Sequence, residues 1–167
     1  IRRINIVGNN SFPEETLLDL FVLQRPGWMT WYTKNDQYSR QKLSGDIESL
    51  RSYYQNRGYL DFAVDSTQVS ITPDKRDIYI TINIAEGDKY TVSDVRLAGE
   101  FVAPEEELRR LVQVKPGDAF SRERLTESTK AIAERLGNDG YAFANTNAVP
   151  EIDKEKRTVA FTLMIDP

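Results

Sequence analysis

Three groups of residues have types and spacings that could do chemistry. Ser39-Arg40-Gln41-Lys42 carries the S-x-x-K spacing of serine acyl-enzymes, where a lysine one helical turn on stands beside the nucleophile. That chemistry also needs partner motifs such as S-D-N and K-T-G, and the sequence has neither. A serine at the head of a helical pattern already has a sufficient role as its N-cap. Asp46 with Glu48, and the run from Glu105 to Glu107, are carboxylate groupings of the kind that shuttle protons or hold a metal. Helical spacing puts them on solvent faces, with no inward partner nearby. The chain contains no histidine and no cysteine. Ser-His and Cys-His nucleophile pairs, thiolate metal sites and disulfides are therefore excluded. The residues predict no catalytic group, no metal site and no cofactor.

Charge narrows the partners. Residues 1–87 hold 10 Lys/Arg against 11 Asp/Glu, and residues 88–167 hold 12 against 15, which gives the net −4. Neither half has the basic excess of a nucleic-acid binder. With 40% apolar and 29% charged residues, the composition is that of an ordinary globular chain. No apolar run approaches the roughly 20 residues of a membrane-spanning helix, and the first residues show no signal-peptide pattern. The chain begins and stops inside apparent strands, which predicts a piece of something longer.

The elements that would position any site come in two copies. Leu50-Arg51-Ser52-Tyr53-Tyr54-Gln55-Asn56-Arg57-Gly58-Tyr59 reads as the end of an amphipathic helix, a glycine stop and an aromatic residue before a strand. The same arrangement returns 82 positions later at Gly140-Tyr141. Gly8 and Pro13-Glu14-Glu15 are matched by Gly99 and Pro104-Glu105-Glu106, both 91 positions on. Each copy starts with an alternating strand, around Ile4 and Ile6 or Val92 to Leu97. A short helix follows, with Leu17, Leu20 and Phe21 or Leu108, Leu111 and Val112 on one face. A second helix carries one apolar stripe: Leu43, Ile47, Leu50 and Tyr54 in the first copy, and Leu125, Thr129, Ile132 and Leu136 in the second. Ser121 is placed as an N-cap. Two strands complete each copy, at 62–71 and 78–85, then at about 142–152 and 158–165. Ile78, Ile80, Ile82 and Ile84 alternate with polar residues in the clearest strand of the chain. Only the links between the helices differ: ten residues separate Gly27 from Tyr38, against Asp118-Ala119 in the second copy.

The expected fold is α+β: two tandem β-α-α-β-β modules, 1–87 and 88–167, each a three-stranded mixed sheet with two helices on one face. Glu86, Gly87, Asp88 and Lys89 form the joint between them. If the last strand of each copy is central, the middle strand lies at a sheet edge. In the first copy that edge carries Phe62, Val64, Val69 and Ile71 and few of the charges that protect edges. An open edge of this kind accepts another chain as an added strand. Trp28-Met29-Thr30-Trp31-Tyr32 is a second candidate, since exposed Trp28 and Trp31 would serve as binding anchors. The β-α-α-β-β order also invites comparison with the KH RNA-binding module. Its GXXG loop is absent: Pro26-Gly27-Trp28-Met29 and Pro116-Gly117-Asp118-Ala119 lack the second glycine.

Ile4-Asn5-Ile6-Val7-Gly8-Asn9, the Leu50–Tyr59 helix end and the unbroken stretch Asp65-Ser66-Thr67-Gln68-Val69-Ser70-Ile71-Thr72-Pro73-Asp74-Lys75 resemble the POTRA (polypeptide-transport-associated) family. The resemblance spans the whole chain and is strongest to the third and fourth of the five modules that precede a membrane β-barrel in Gram-negative outer-membrane assembly proteins. It implies a periplasmic location and a non-catalytic role. The implied partners are unfolded outer-membrane protein clients, accessory outer-membrane lipoproteins including a β-propeller one, neighbouring POTRA modules and the C-terminal barrel. It also implies contacts at Val69 and Ile71 on the edge strand and at Leu23, Gln24 and Arg25 after the first helix. A passive spacer that sets the geometry of neighbouring modules is the alternative.

Overall fold

The computed structural model describes residues 2–21, 36–74 and 77–167. By contacts the chain divides into one unit of Ile1–Tyr54 with Asp61–Gly87, and a second of Gln55–Leu60 with Asp88–Pro167.

The first unit contains β1 (Arg2–Val7), α1 (Glu14–Leu18), α2 (Asp36–Gln55), β2 (Ala63–Ile71) and β3 (Ile78–Ala85). Strand order is β1-β3-β2, with β1 parallel and β2 antiparallel to the central β3. The period-two pattern explains the layering. Ile78, Ile80, Ile82 and Ile84 all point to one side and are buried, together with Ile4 and Ile6 of β1. The helices supply buried Leu17, Leu50 and Tyr54, and Phe21 just after α1 is buried too. Glu14 and Glu15 occupy the first turn of α1, where the helix dipole favours negative charge.

Two expectations about α2 need correction. The helix already includes Asp36, so Ser39 lies within it and is not its cap. Asp46 is only 2% exposed, not solvent-facing. It stands three residues after Leu43 and four before Leu50, inside the same stripe, because the buried face of this helix is wider than the apolar residues alone mark.

The second unit contains β4 (Thr91–Gly99), α3 (Glu105–Arg110), α4 (Arg122–Asn138), β5 (Asn145–Asp153) and β6 (Thr158–Asp166), with sheet order β4-β6-β5. Ser121 Oγ accepts the Arg124 N–H at 3.3 Å and caps α4. Phe161 and Val159 pack with Tyr90, Val92, Val114 and Phe120 at one end of the core, and Leu60 joins them there. Leu163 and Ile165 pack with Leu108, Ile132 and Leu136 at the other. The link after α3 is longer than expected and runs back along β4. Gly117 N–H donates to Val92 O, Val92 N–H to Asp118 O and Phe120 N–H to Tyr90 O, at 2.7, 2.8 and 3.0 Å.

One backbone device recurs. Gly8 follows β1 and Gly99 ends β4, with φ of +102° and +100°. A Cβ there would lie 2.3 Å from Ile84 O and 2.2 Å from Ile165 O. Only glycine combines that torsion with so close an approach to the central strand.

Candidate functional site

The β2 margin of the first unit is the site that the fold leaves open. Among the described residues β2 pairs with β3 on one side only. Ser70 to Ser66 face Tyr79 to Asn83, and the register shifts between Val64 and Ser66. Asp65 therefore bulges and is the only charged residue between Ala63 and Ile71.

Backbone direction alternates along a strand, and two contacts set it here. Thr72 N–H donates to Asp77 O at 3.0 Å, so the pair next to Ile71↔Ile78 is a bonded one. Ile84 O is turned toward Gly8, on the β1 side. The isoleucines of β3 thus direct their backbone groups to β1, and the residues opposite them (Thr67, Val69 and Ile71) turn theirs outward. Their side chains share the helix-bearing face with Ile82, Ile80 and Ile78. Val69 and Ile71 are 40% and 41% exposed, so an approaching strand would meet both free ladder groups and apolar surface.

The other expected site residues lie as follows. Val64 is half-buried at the start of β2. Phe62 does not belong to the margin: it is buried before β2 begins, with its ring stacked on Tyr54 at a centroid distance of 4.5 Å. Its aromatic bulk fills the gap under α2 and is not presented to solvent. Leu23, Gln24, Arg25, Trp28 and Trp31 lie outside the described residues. Glu86 and Gly87 belong to the first contact unit, Asp88 and Lys89 to the second.

Glu86 is the polar residue that sequence reasoning missed. It is 9% exposed and accepts four hydrogen bonds: from Asn10 N–H at 3.2 Å, Ser11 N–H at 3.0 Å, Ser11 Oγ–H at 3.2 Å and Tyr54 Oη–H at 2.7 Å. One carboxylate thereby ties the turn after β1 and the end of α2 to the end of β3. A lone glutamate in a Glu-Gly-Asp-Lys run carries no periodic signal, and only its partners reveal it.

Three of the other candidate carboxylates are held in surface ion pairs. Glu48 meets Arg51 at 2.7 Å, Glu105 meets Arg109 at 3.0 Å and Glu107 meets Arg135 at 2.7 Å. Among the described residues no three acidic side chains converge on a point that could hold a metal. On the β4 margin, Arg96 Nε donates to Asp94 at 2.8 Å and holds that carboxyl below its usual range.

Two sheets with one topology, each carrying two helices and a glycine turned against the central strand, are a duplicated module, and comparison with known proteins names it. The POTRA profile, described as surface antigen variable number repeat, matches residues 1–87 and again 90–167. The chain belongs to the POTRA family. Its relatives include the outer membrane protein assembly factor BamA of Neisseria meningitidis serogroup B, 32% identical over all of this chain and 21% of that protein. BamA of Buchnera aphidicola is 30% identical over 99% of this chain and 27% of the relative. The chain thus spans about a fifth to a quarter of the curated relatives it matches. A crystal structure of Haemophilus influenzae BamA POTRA3-5 superposes with a TM-score of 0.83 at 28% identity, covering 99% of this chain and 65% of that one. This is a tandem POTRA pair of the BamA type, and POTRA modules are not enzymes.

Proposed function

We propose that this POTRA pair captures unfolded outer-membrane protein chains by strand addition and docks accessory lipoproteins, as part of an outer-membrane protein assembly factor. Its compartment is the periplasm, where BamA POTRA modules reside. The observation that carries the reading is the β2 margin: free N–H and C=O groups at Thr67, Val69 and Ile71, flanked by two half-exposed aliphatic side chains. Backbone bonds supply affinity that tolerates many client sequences, and alternate apolar contacts select amphipathic strands. Each neutral backbone bond contributes about 0.5–1.5 kcal/mol net, so a three-residue ladder binds weakly and releases its client. The modules on this reading run 1–87 and 88–167, with Glu86–Lys89 as their joint. Val64 extends the capture margin. By resemblance to the family Leu23, Gln24 and Arg25 take part in docking a β-propeller lipoprotein, and Trp28 and Trp31 add aromatic anchors of the kind that surface tryptophans supply.

The test is an amide-shift titration of the 167-residue chain with a lysine-flanked peptide of alternating Thr and Val. Shifts should gather on Thr67, Val69, Ile71 and their β3 neighbours. Val69→Pro removes the central outward donor and should weaken binding about tenfold, the equivalent of one such hydrogen bond, while the rest of the spectrum persists. A silent β2 margin in the wild type favours the spacer.

A further inference from the structure

The second unit has a margin in the same place as β2, and it differs at the residue in the middle of the edge. β5 pairs only with β6, in an unbroken antiparallel register from Asn145↔Asp166 to Asp153↔Thr158. Val149 and Ile152, on opposite faces of the strand, are 46% and 45% exposed, so this edge too carries apolar surface. Its backbone direction is set by Ile165, whose C=O accepts the Glu100 N–H at 3.2 Å on the β4 side. By alternation Val159, Phe161 and Leu163 also direct their backbone groups to β4. The residues opposite these four (Thr146, Ala148, Pro150 and Ile152) turn theirs outward. Pro150 faces Phe161 as Val69 faces Ile80, in the middle of the free edge. There the first unit offers an N–H and the second offers a pyrrolidine ring. Proline costs the native sheet nothing at an outward-facing position, yet it removes the donor that an added strand would use. Exposed Glu151 and Asp153 follow it, where the first unit has Ser70 and, just past β2, Thr72; inserted charge and proline are the usual guards of a sheet edge.

We infer that Pro150 closes the second unit's edge and thereby confines strand capture to the first. This rests on the reading of β2 as the capture margin. The same titration with the lysine-flanked Thr-Val peptide tests it on Pro150→Val, and on Pro150→Ala in case the larger side chain disturbs packing against Phe161. Wild type should show no shifts on Thr146, Ala148 or Ile152. The folded variants should gain saturable shifts there, with affinity at β5 raised about tenfold or more. Folded variants that stay silent at β5 overturn the inference, as does a wild type that already binds there. If β2 is silent while the variants gain binding at β5, the role of Pro150 stands and capture by β2 falls.

Discussion

Replacing Glu86 tests whether one buried carboxylate holds the first unit together. Tyr54 is fully buried and its hydroxyl donates to Glu86 at 2.7 Å. Ser11 N–H depends on the same side chain, whereas Asn10 N–H shares its donation between Glu86 and Gly8 O at 3.1 Å. Tyr54→Phe deletes one bond to a charged acceptor, a loss of about 1.5–3 kcal/mol. Glu86→Ala removes the charged acceptor of the tyrosine hydroxyl and the acceptor of Ser11 N–H at once, while Asn10 N–H keeps Gly8 O. A donor left without its acceptor costs about 1–3 kcal/mol and one near the surface recovers water, so the expected total is roughly 2–4 kcal/mol. Because both substitutions remove the Tyr54–Glu86 bond, their costs should fall short of additivity by about 1–2 kcal/mol in a double-mutant cycle. Urea unfolding followed by amide signals from each unit separately is the appropriate assay, since two units need not unfold together. The loss should appear in the signals of Ile80 and Leu50 and leave those of Leu163 unmoved. A cost below about 1 kcal/mol for Glu86→Ala, the size of an ordinary surface substitution, refutes the reasoning.

Two further outcomes follow from local geometry. Gly8→Ala and Gly99→Ala should each destabilise their own unit by about 2 kcal/mol or more, because positive φ and a clash with a central-strand carbonyl act together. Gly117→Ala, at φ of +94° but in open space, should cost distinctly less in the same urea series. Asp94 bears on pH. The hydrogen bond from Arg96 lowers its pKa most, the Val95 N–H lowers it further, and burial opposes both. A carboxyl lowered on folding stabilises the protein above its unfolded pKa, and that contribution fades as pH falls through the folded value. Asp94→Asn should therefore lower the second unit's urea midpoint slightly near neutrality. The gap from wild type should close in acid; a gap that widens contradicts the assignment.

Much of this architecture could be read along the chain because its causes are local. The isoleucine alternation at 78–84 marks a strand whatever surrounds it, and Ser121 caps α4 through a bond to a residue only three positions away. The duplication reveals the module, whereas the central place of the last strand is conditional in the sequence and is settled by the observed pairing. Ser39 was misplaced because a helix start depends on which neighbouring serine or aspartate the backbone uses. Asp46 was misplaced because a polar residue within a stripe looks like the stripe's end until the sheet beneath it is known.

The residues alone thus determined two things: a repeated β-α-α-β-β unit, since periodicity and turn chemistry act over a few neighbours, and the absence of His- or Cys-based chemistry. The tertiary structure decided which groups are spent and which are free. Phe62 goes to the core because Tyr54 lies over it, and Glu86 becomes a tie because strand and helix ends bring donors to it from 32 and 75 positions away. Whether Val69 or Pro150 turns its backbone outward depends on the partner strand's register. That quantity exists only once distant segments have paired, because one residue of slip reverses every direction on the edge.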